Sequence, residues 1–168
     1  MFKQTKEIHL LTRNLGNQCI NNAYKLVIAE SCTGGLICST ITSVSGSSKW
    51  FERGFVTYSN QSKCDLLGVT KKTLTNHGAV SQNVANEMAL GALQNSYGNL
   101  SLSITGIAGP NGGTKDKPVG TVYFAICNQS SIIFESRSNF AGTRGEIQEK
   151  ALLFVLNNLL KVTLKQQI

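Results

Sequence analysis

Acidic residues are scarce in this chain: nine Asp and Glu stand against sixteen Lys and Arg, a formal net charge of +7. Charged residues make up 15% of the 168 positions and hydrophobic ones 41%, which excludes a disordered polyelectrolyte and describes a globular protein. Two prolines exclude a proline-rich linker, and no apolar run approaches the roughly 20 residues of a membrane-spanning helix. The opening segment, MFKQTKEIHLLTRNLGNQ, lacks a signal peptide's apolar stretch, so a cytoplasmic protein is expected. Only two histidines are present, His9 and His77, far apart and without ligand-like neighbours. Five cysteines (Cys19, Cys32, Cys38, Cys64, Cys127) form no CxxC pair and are odd in number. A disulfide framework, a structural zinc site and any other metal site are therefore not expected.

The positive balance implies acidic partners, either phosphate-bearing small molecules or nucleic acid. The charge is dispersed, however. Its densest patches are Lys71-Lys72 and the pair Lys115 and Lys117, and no basic run is interleaved with aromatics. Nucleic-acid binding is disfavoured on that ground.

What is there in quantity is alternating helix and strand signal. Ile8, Leu11, Leu15 and Cys19 recur at helical spacing, so the first twenty residues read as an amphipathic helix. LVIA is a short buried strand. A second helix opens at Gly35, with Ile37, Ile41 and Val44 on one face, and ends near Ser45-Gly46. Trp50 to Tyr58, rich in aromatic and β-branched residues, reads as a strand. Ser59 is placed to cap a short helix that Gly68 stops, and Ser81 caps another with Val84, Met88 and Ala92 inward and Gly98 past its end.

LSLSITG is a further strand, and it enters a long Gly- and Pro-rich loop, Ile107 to Gly120, holding Lys115, Asp116 and Lys117. Two last strands, VGTVYFAIC and SIIFESRSNF, meet at Asn128-Gln129. Thr143-Arg144-Gly145-Glu146 fits a capping box opening a final helix that turns Ile147, Ala151, Val155 and Leu159 inward. The pattern predicts one domain over residues 1–168, a three-layer α/β/α sandwich with a mixed five- or six-stranded sheet.

Ligands in such sheets gather at the carboxyl ends of strands. The first such end carries Ser31, Thr33, Gly34 and Gly35 in AESCTGG, where paired glycines start a helix they would ordinarily weaken. The second carries Tyr58 and, one turn into the next helix, Lys63; the third carries Thr105 and Gly106. Ser31 is a candidate nucleophile, and the helix start at Gly34-Gly35 offers N–H groups to an oxyanion. Neither histidine lies near a strand end, so a lysine of lowered pKa is the alternative base. Lys63 is the best placed, with Tyr58 as relay. Position alone leaves other readings open: Ser31 as a turn serine, Lys63 as a solvated helix lysine. Arg144, beside a helix start, combines a cation with free N–H groups and suits a phosphate, with Ser47 and Ser48 as possible added hydroxyls. A solvated Arg144 next to a capped helix fits equally well.

AESCTGG, VSGSSKWFERGFVTYSNQSK, LLGV, HGAVS, SITGIAGPNGG, KPVGTVYFA and FAGTR together resemble one family. It is the C-terminal domain family of the competence/damage-inducible protein, in particular its stand-alone nicotinamide-nucleotide amidases. The resemblance runs from near the N-terminus to the last helix, without departure at the motif positions. It implies hydrolysis of the carboxamide of nicotinamide mononucleotide to nicotinate mononucleotide and ammonia, without a cofactor. It also implies Ser31 as nucleophile, Tyr58 and Lys63 as its activating pair, and a homodimer or higher homo-oligomer. The larger N-terminal domain that some members carry has no counterpart in this sequence. Two other readings stay open at this point: a non-catalytic nucleotide- or nucleic-acid-binding module linked to competence or DNA damage, and an amidase for another small amide.

Overall fold

The computed structural model describes residues 5–129 and 131–165. Five strands form one sheet in the order β2-β1-β3-β4-β5. They are β1 (Leu26–Glu30), β2 (Phe51–Val56), β3 (Leu100–Gly106), β4 (Thr121–Asn128) and β5 (Ser131–Asn139). β1 runs parallel to β2 and β3, whereas β4 is antiparallel to both β3 and β5, so the sheet is mixed. Among the described residues there are six α-helices: α1 (Lys6–Asn21), α2 (Leu36–Thr42), α3 (Asn60–Leu67), α4 (Lys71–His77), α5 (Gln82–Gln94) and α6 (Arg144–Lys165). No helix among the described residues is long and apolar enough to cross a membrane.

Side-chain alternation along the strands explains the two helical layers. Leu26 and Ile28 of β1, Leu100, Leu102 and Ile104 of β3, and Phe124 of β4 face one side, packed with Ile8, Ile37 and Leu152 from α1, α2 and α6 and with Trp50, which precedes β2. Val27 and Ala29 face the other side, against Leu67, Val84 and Met88 of α3 and α5. On that second side β3 presents Ser101, Ser103 and Thr105. These are buried hydroxyls in a central strand, and each needs an acceptor. They donate to the Ala89, Ala85 and Ala79 carbonyls at 2.7, 2.5 and 2.8 Å. Small residues on α5 bring its backbone close enough for the first two of those bonds; Ala79 lies just before the helix.

Gly91 shows how close. A Cβ there would collide with the Leu67 carbonyl oxygen of α3. In an exposed helix Gly→Ala gains about 1 kcal/mol, but here the contact is with backbone that cannot rotate away. Gly91→Ala is expected to destabilise by about 2–3 kcal/mol, lowering Tm by roughly 5–10 °C. Thermal unfolding of the variant checks it; an unchanged or raised Tm contradicts this packing.

Several boundaries differ from the sequence expectation. α4 has no predicted counterpart: it carries no buried residue, so it leaves no helical apolar stripe, and Thr70 caps it by accepting from Thr73 N–H. α2 stops at Thr42, short of Val44, and a single 3-10 turn at Ser47–Lys49 leads into β2. β2 covers Phe51–Val56 only; Trp50 leaves the strand to fill a gap over Gly16, where any Cβ would meet its indole. Residues 1–4 of the expected first helix, and Ser130, lie outside the described residues.

Candidate active site

Parallel pairing of β1 with β2 and β3 puts three carboxyl ends on one edge of the sheet. Ser31 is the first residue beyond β1, and its N–H donates to the Ile104 carbonyl of β3 at 3.0 Å. Beyond β2, Thr57 N–H donates to the Glu30 carbonyl at 2.8 Å, locking that chain exit beside the first. The expected cap at Ser59 forms as a reciprocal box with Ser62, which starts α3 and places Lys63 in its first turn, aimed back at the sheet. Lys63 Nζ then donates to Ser31 Oγ at 2.9 Å and to the Thr57 carbonyl at 2.7 Å.

The lysine is 1% exposed and the serine 8%. Both partners of Lys63 are uncharged, so those two bonds bring no counter-charge to offset the loss of water around an ammonium. Burial accordingly lowers the Lys63 pKa from its ordinary 10.5, against smaller opposing effects of Cys32 and Cys64. A buried hydroxyl in contact with a lysine of lowered pKa is an arrangement that can move a proton off serine.

The Ser31–Gly35 corner is built around a residue that sequence reasoning missed. Glu30 is fully buried, and its carboxylate accepts from Gly35 N–H (3.0 Å), Ile37 N–H (3.2 Å) and Cys38 N–H (2.8 Å). Gly34 and Gly35 adopt φ of 61° and 98°, left-handed values that glycine reaches without strain, and Gly34 N–H closes onto the Ser31 carbonyl at 3.1 Å. The expectation that Gly34-Gly35 leaves N–H groups open to an anion is therefore corrected: the chain's own carboxylate and carbonyl occupy them. Two donors remain, since the Cys32 and Thr33 N–H groups bond to no other residue among those described. The Thr33 hydroxyl, in a residue only 4% exposed, is likewise unpartnered. Burial pushes the Cys32 thiol up to about 12, so it stays protonated beside the serine. From α6, Gln148 Nε2 holds the Cys32 carbonyl at 2.8 Å.

Outside the Ser31–Lys63 pair lies an open cleft of about 890 Å³ between the Thr33–Leu36 turn and the start of α6, with Arg144 and Gln148 on its far wall. Ser31 is not on its lining; it sits one step behind Thr33. Thr143 and Glu146 form the expected capping contacts, Thr143 N–H to Glu146 Oε2 at 2.7 Å, which with the Thr143 hydroxyl lowers the Glu146 pKa. Arg144 is held rather than solvated: Nη1 donates to the Gly109 carbonyl (3.0 Å) and Nη2 to the Tyr58 hydroxyl (2.9 Å). Tyr58 is 63% exposed and bonds Arg144, while Lys63 reaches Ser31 without an intermediary.

The remaining predicted residues divide. Thr105 reaches this edge but commits its hydroxyl to Ala79. Gly106 has a packing reason to be glycine, because a Cβ would lie 2.7 Å from the Thr121 carbonyl. Ser47 and Ser48 precede β2 and so sit at the opposite end of the sheet from Ser31, a strand's length away. Lys117 folds back to donate to the His77 and Val80 carbonyls, securing the Gly-rich loop.

Residues 9–163 match the model of the CinA C-terminal domain. The chain belongs to the CinA C-terminal domain family. Among its relatives is the nicotinamide-nucleotide amidohydrolase PncC of Enterobacter agglomerans, 43% identical over 160 residues, covering 95% of this chain and 98% of that protein. PncC of Escherichia coli K12 is 44% identical over 153 residues, covering 91% and 93%. Among solved structures, the competence/damage inducible protein CihA of Agrobacterium tumefaciens superposes with a TM-score of 0.91 at 39% identity, over 96% of this chain and 98% of that one. This CinA domain thus matches the stand-alone relatives over nearly their whole length.

Proposed function

We propose that this CinA domain is a nicotinamide-nucleotide amidohydrolase that cleaves the carboxamide of nicotinamide mononucleotide through Ser31. The observation that carries the reading is the 2.9 Å contact between Lys63 Nζ and Ser31 Oγ inside a buried site. Likeness to the two PncC proteins along nearly the full chain supports the substrate.

Neutral Lys63 takes the hydroxyl proton as Ser31 Oγ attacks the carboxamide carbon. The carbonyl oxygen becomes an oxyanion, for which the Cys32 and Thr33 N–H groups, with the Thr33 hydroxyl, are the available donors. Lys63, now an ammonium, returns its proton to the departing nitrogen, and ammonia leaves behind a serine ester. Water then attacks the ester carbon, giving its proton to Lys63. The C–O bond to Ser31 breaks, Oγ recovers that proton, and nicotinate mononucleotide is released. The cationic pyridinium of the substrate withdraws electrons from the carboxamide and favours both attacks. Where activating the serine needs no relay, Tyr58 serves instead to brace Arg144. The homo-oligomer implied by the family resemblance belongs to the same reading, and light scattering of the purified protein measures it.

Arg144 has donors beyond the two that Gly109 and Tyr58 occupy, and it borders the cleft at the start of α6. In this reading it binds the 5′-phosphate. Purified protein is expected to release ammonia and nicotinate mononucleotide from nicotinamide mononucleotide. Arg144→Ala is expected to raise KM for the nucleotide about tenfold or more, on the scale of one lost charge-assisted contact, and to leave hydrolysis of the dephosphorylated riboside nearly untouched. Steady-state kinetics on both substrates decide: equal losses assign Arg144 a structural role, and no ammonia from wild-type protein refutes the function.

A further inference from the structure

Glu30 is a buried ionisable side chain to which the steps above give no part. Its carboxylate holds three N–H groups at the start of α2, at 2.8 to 3.2 Å, so that the helix end meets an internal anion. Its backbone carbonyl accepts from Thr57 N–H at 2.8 Å, and the Thr57 carbonyl in turn accepts from Lys63 Nζ. One residue therefore ties the turn carrying Ser31 to the segment carrying Lys63. The Cys38 thiol stands beside the same carboxylate; burial first, then the Glu30 charge, pushes it up, so it stays neutral.

We infer that Glu30 is a positioning residue for acyl transfer, building on the serine mechanism proposed above. By occupying the Gly35, Ile37 and Cys38 N–H groups, it removes the donors that would otherwise compete for the reacting oxygen. By fixing where α2 begins, it leaves the Cys32 and Thr33 N–H groups, on the two residues that follow Ser31, without a bond to another residue among the described ones. The glycines follow from the same arrangement. The chain must reverse within four residues to bring α2's N–H groups back onto the side chain that precedes the nucleophile, and Gly34 and Gly35 supply the left-handed turn. A plain helix cap needs one hydroxyl accepting one N–H, as at Thr5, Ser59, Thr70 and Ser81 in this chain. A carboxylate taking three, fully buried beside the nucleophile, has the geometry of a device that orients a loop.

Glu30→Gln keeps the shape and replaces one accepting oxygen with a donating –NH₂, which must face either Cys38 N–H or the Gly35 and Ile37 pair. The expected result is a folded protein whose kcat for nicotinamide mononucleotide falls about 100- to 1,000-fold, the scale of a lost oxyanion donor. KM should stay within about threefold, because the phosphate contact proposed at Arg144 lies elsewhere. The rate at which a fluorophosphonate labels Ser31 should fall by a similar factor, since that probe needs the same nucleophile and donors but no nucleotide. A folded variant with kcat and labelling within about threefold of wild type overturns the inference. A loss of labelling in Glu30→Gln, with a wild-type protein inert toward the nucleotide, supports the positioning role and refutes the substrate reading instead.

Should Glu30→Gln not fold, amide NMR of the wild-type protein before and after fluorophosphonate modification of Ser31 decides. The Cys32 and Thr33 amide signals should move, with Gly35, Ile37 and Cys38 unchanged. The reverse pattern, with α2 amides leaving Glu30 for the phosphonyl oxygen, overturns it.

Discussion

Ser31→Ala is expected to lower kcat by at least about 10,000-fold, the scale seen when the nucleophile of a serine hydrolase is removed, while the fold and nucleotide affinity stay near wild type. The hydroxyl makes one hydrogen bond, to Lys63 Nζ, and in the proposed mechanism its oxygen is the atom that bonds to the carboxamide carbon. Its backbone does the structural work: Ser31 N–H pairs with Ile104, and its carbonyl accepts from Gly34. Neither bond changes in the variant. Calorimetric titration with nicotinamide mononucleotide should give a Kd within a few-fold of wild type, and melting should remain cooperative. A second arm tests the ester directly. Hydroxylamine added to turning-over wild-type enzyme should divert product into the hydroxamate, and Ser31→Ala should form none. Substantial turnover by Ser31→Ala would leave direct attack by water as the chemistry.

Much of the fold was legible because its long helices bury faces of regular period and its central strands are short, almost wholly buried runs. α1, α5 and α6 display their inward residues at three- and four-residue spacing; β4 is a continuous buried run and β5 alternates, two strand signatures that meet at Asn128-Gln129. α4 escaped notice for the converse reason, since a seven-residue helix with no buried side chain writes no period into the chain. Trp50 shows another limit. An aromatic next to FERGFV looks like strand, yet a notch at Gly16 on α1 draws it off the sheet. Nothing local encodes a notch 34 residues away.

The site was legible in its parts and not in its wiring. Strand-end position singled out Ser31 and Lys63, and the resemblance gave them roles. Their 2.9 Å contact depends on the cap at Ser59 and on how far β2 extends. Glu30 was passed over because an acid ending the run LVIAE reads as a solvent-facing strand end; only the left-handed turn at Gly34-Gly35 folds α2 back over it. Arg144 was picked for its place at a helix start, but its bonds to Tyr58 and Gly109 join segments 86 and 35 residues apart, beyond any local pattern.

The second large effect is expected at Lys63. Lys63→Met and Lys63→Arg should each lower kcat about 100- to 10,000-fold, the usual contribution of a positioned general base. The pH dependence separates this role from packing. In wild-type enzyme the active form carries neutral Lys63, so kcat should rise with pH to a plateau, with a midpoint below the ordinary lysine value of 10.5 because burial lowers the pKa. Lys63→Arg keeps a cation that cannot lose its proton, and its residual rate should show no such limb. Stability carries the same signature with a definite sign. The native pKa lies below the unfolded one, so between the two the unfolded chain binds more protons and unfolding free energy rises with pH. Well below the native pKa, the folded protein bears the full penalty of a buried ammonium. Lys63→Met removes that penalty but leaves the Thr57 carbonyl without its donor, a loss that does not titrate. The Tm of Lys63→Met relative to wild type should therefore be highest at acid pH and fall as pH climbs toward 10.5. A pH-independent Tm difference, or a Lys63→Arg enzyme with the wild-type limb, would place the base elsewhere.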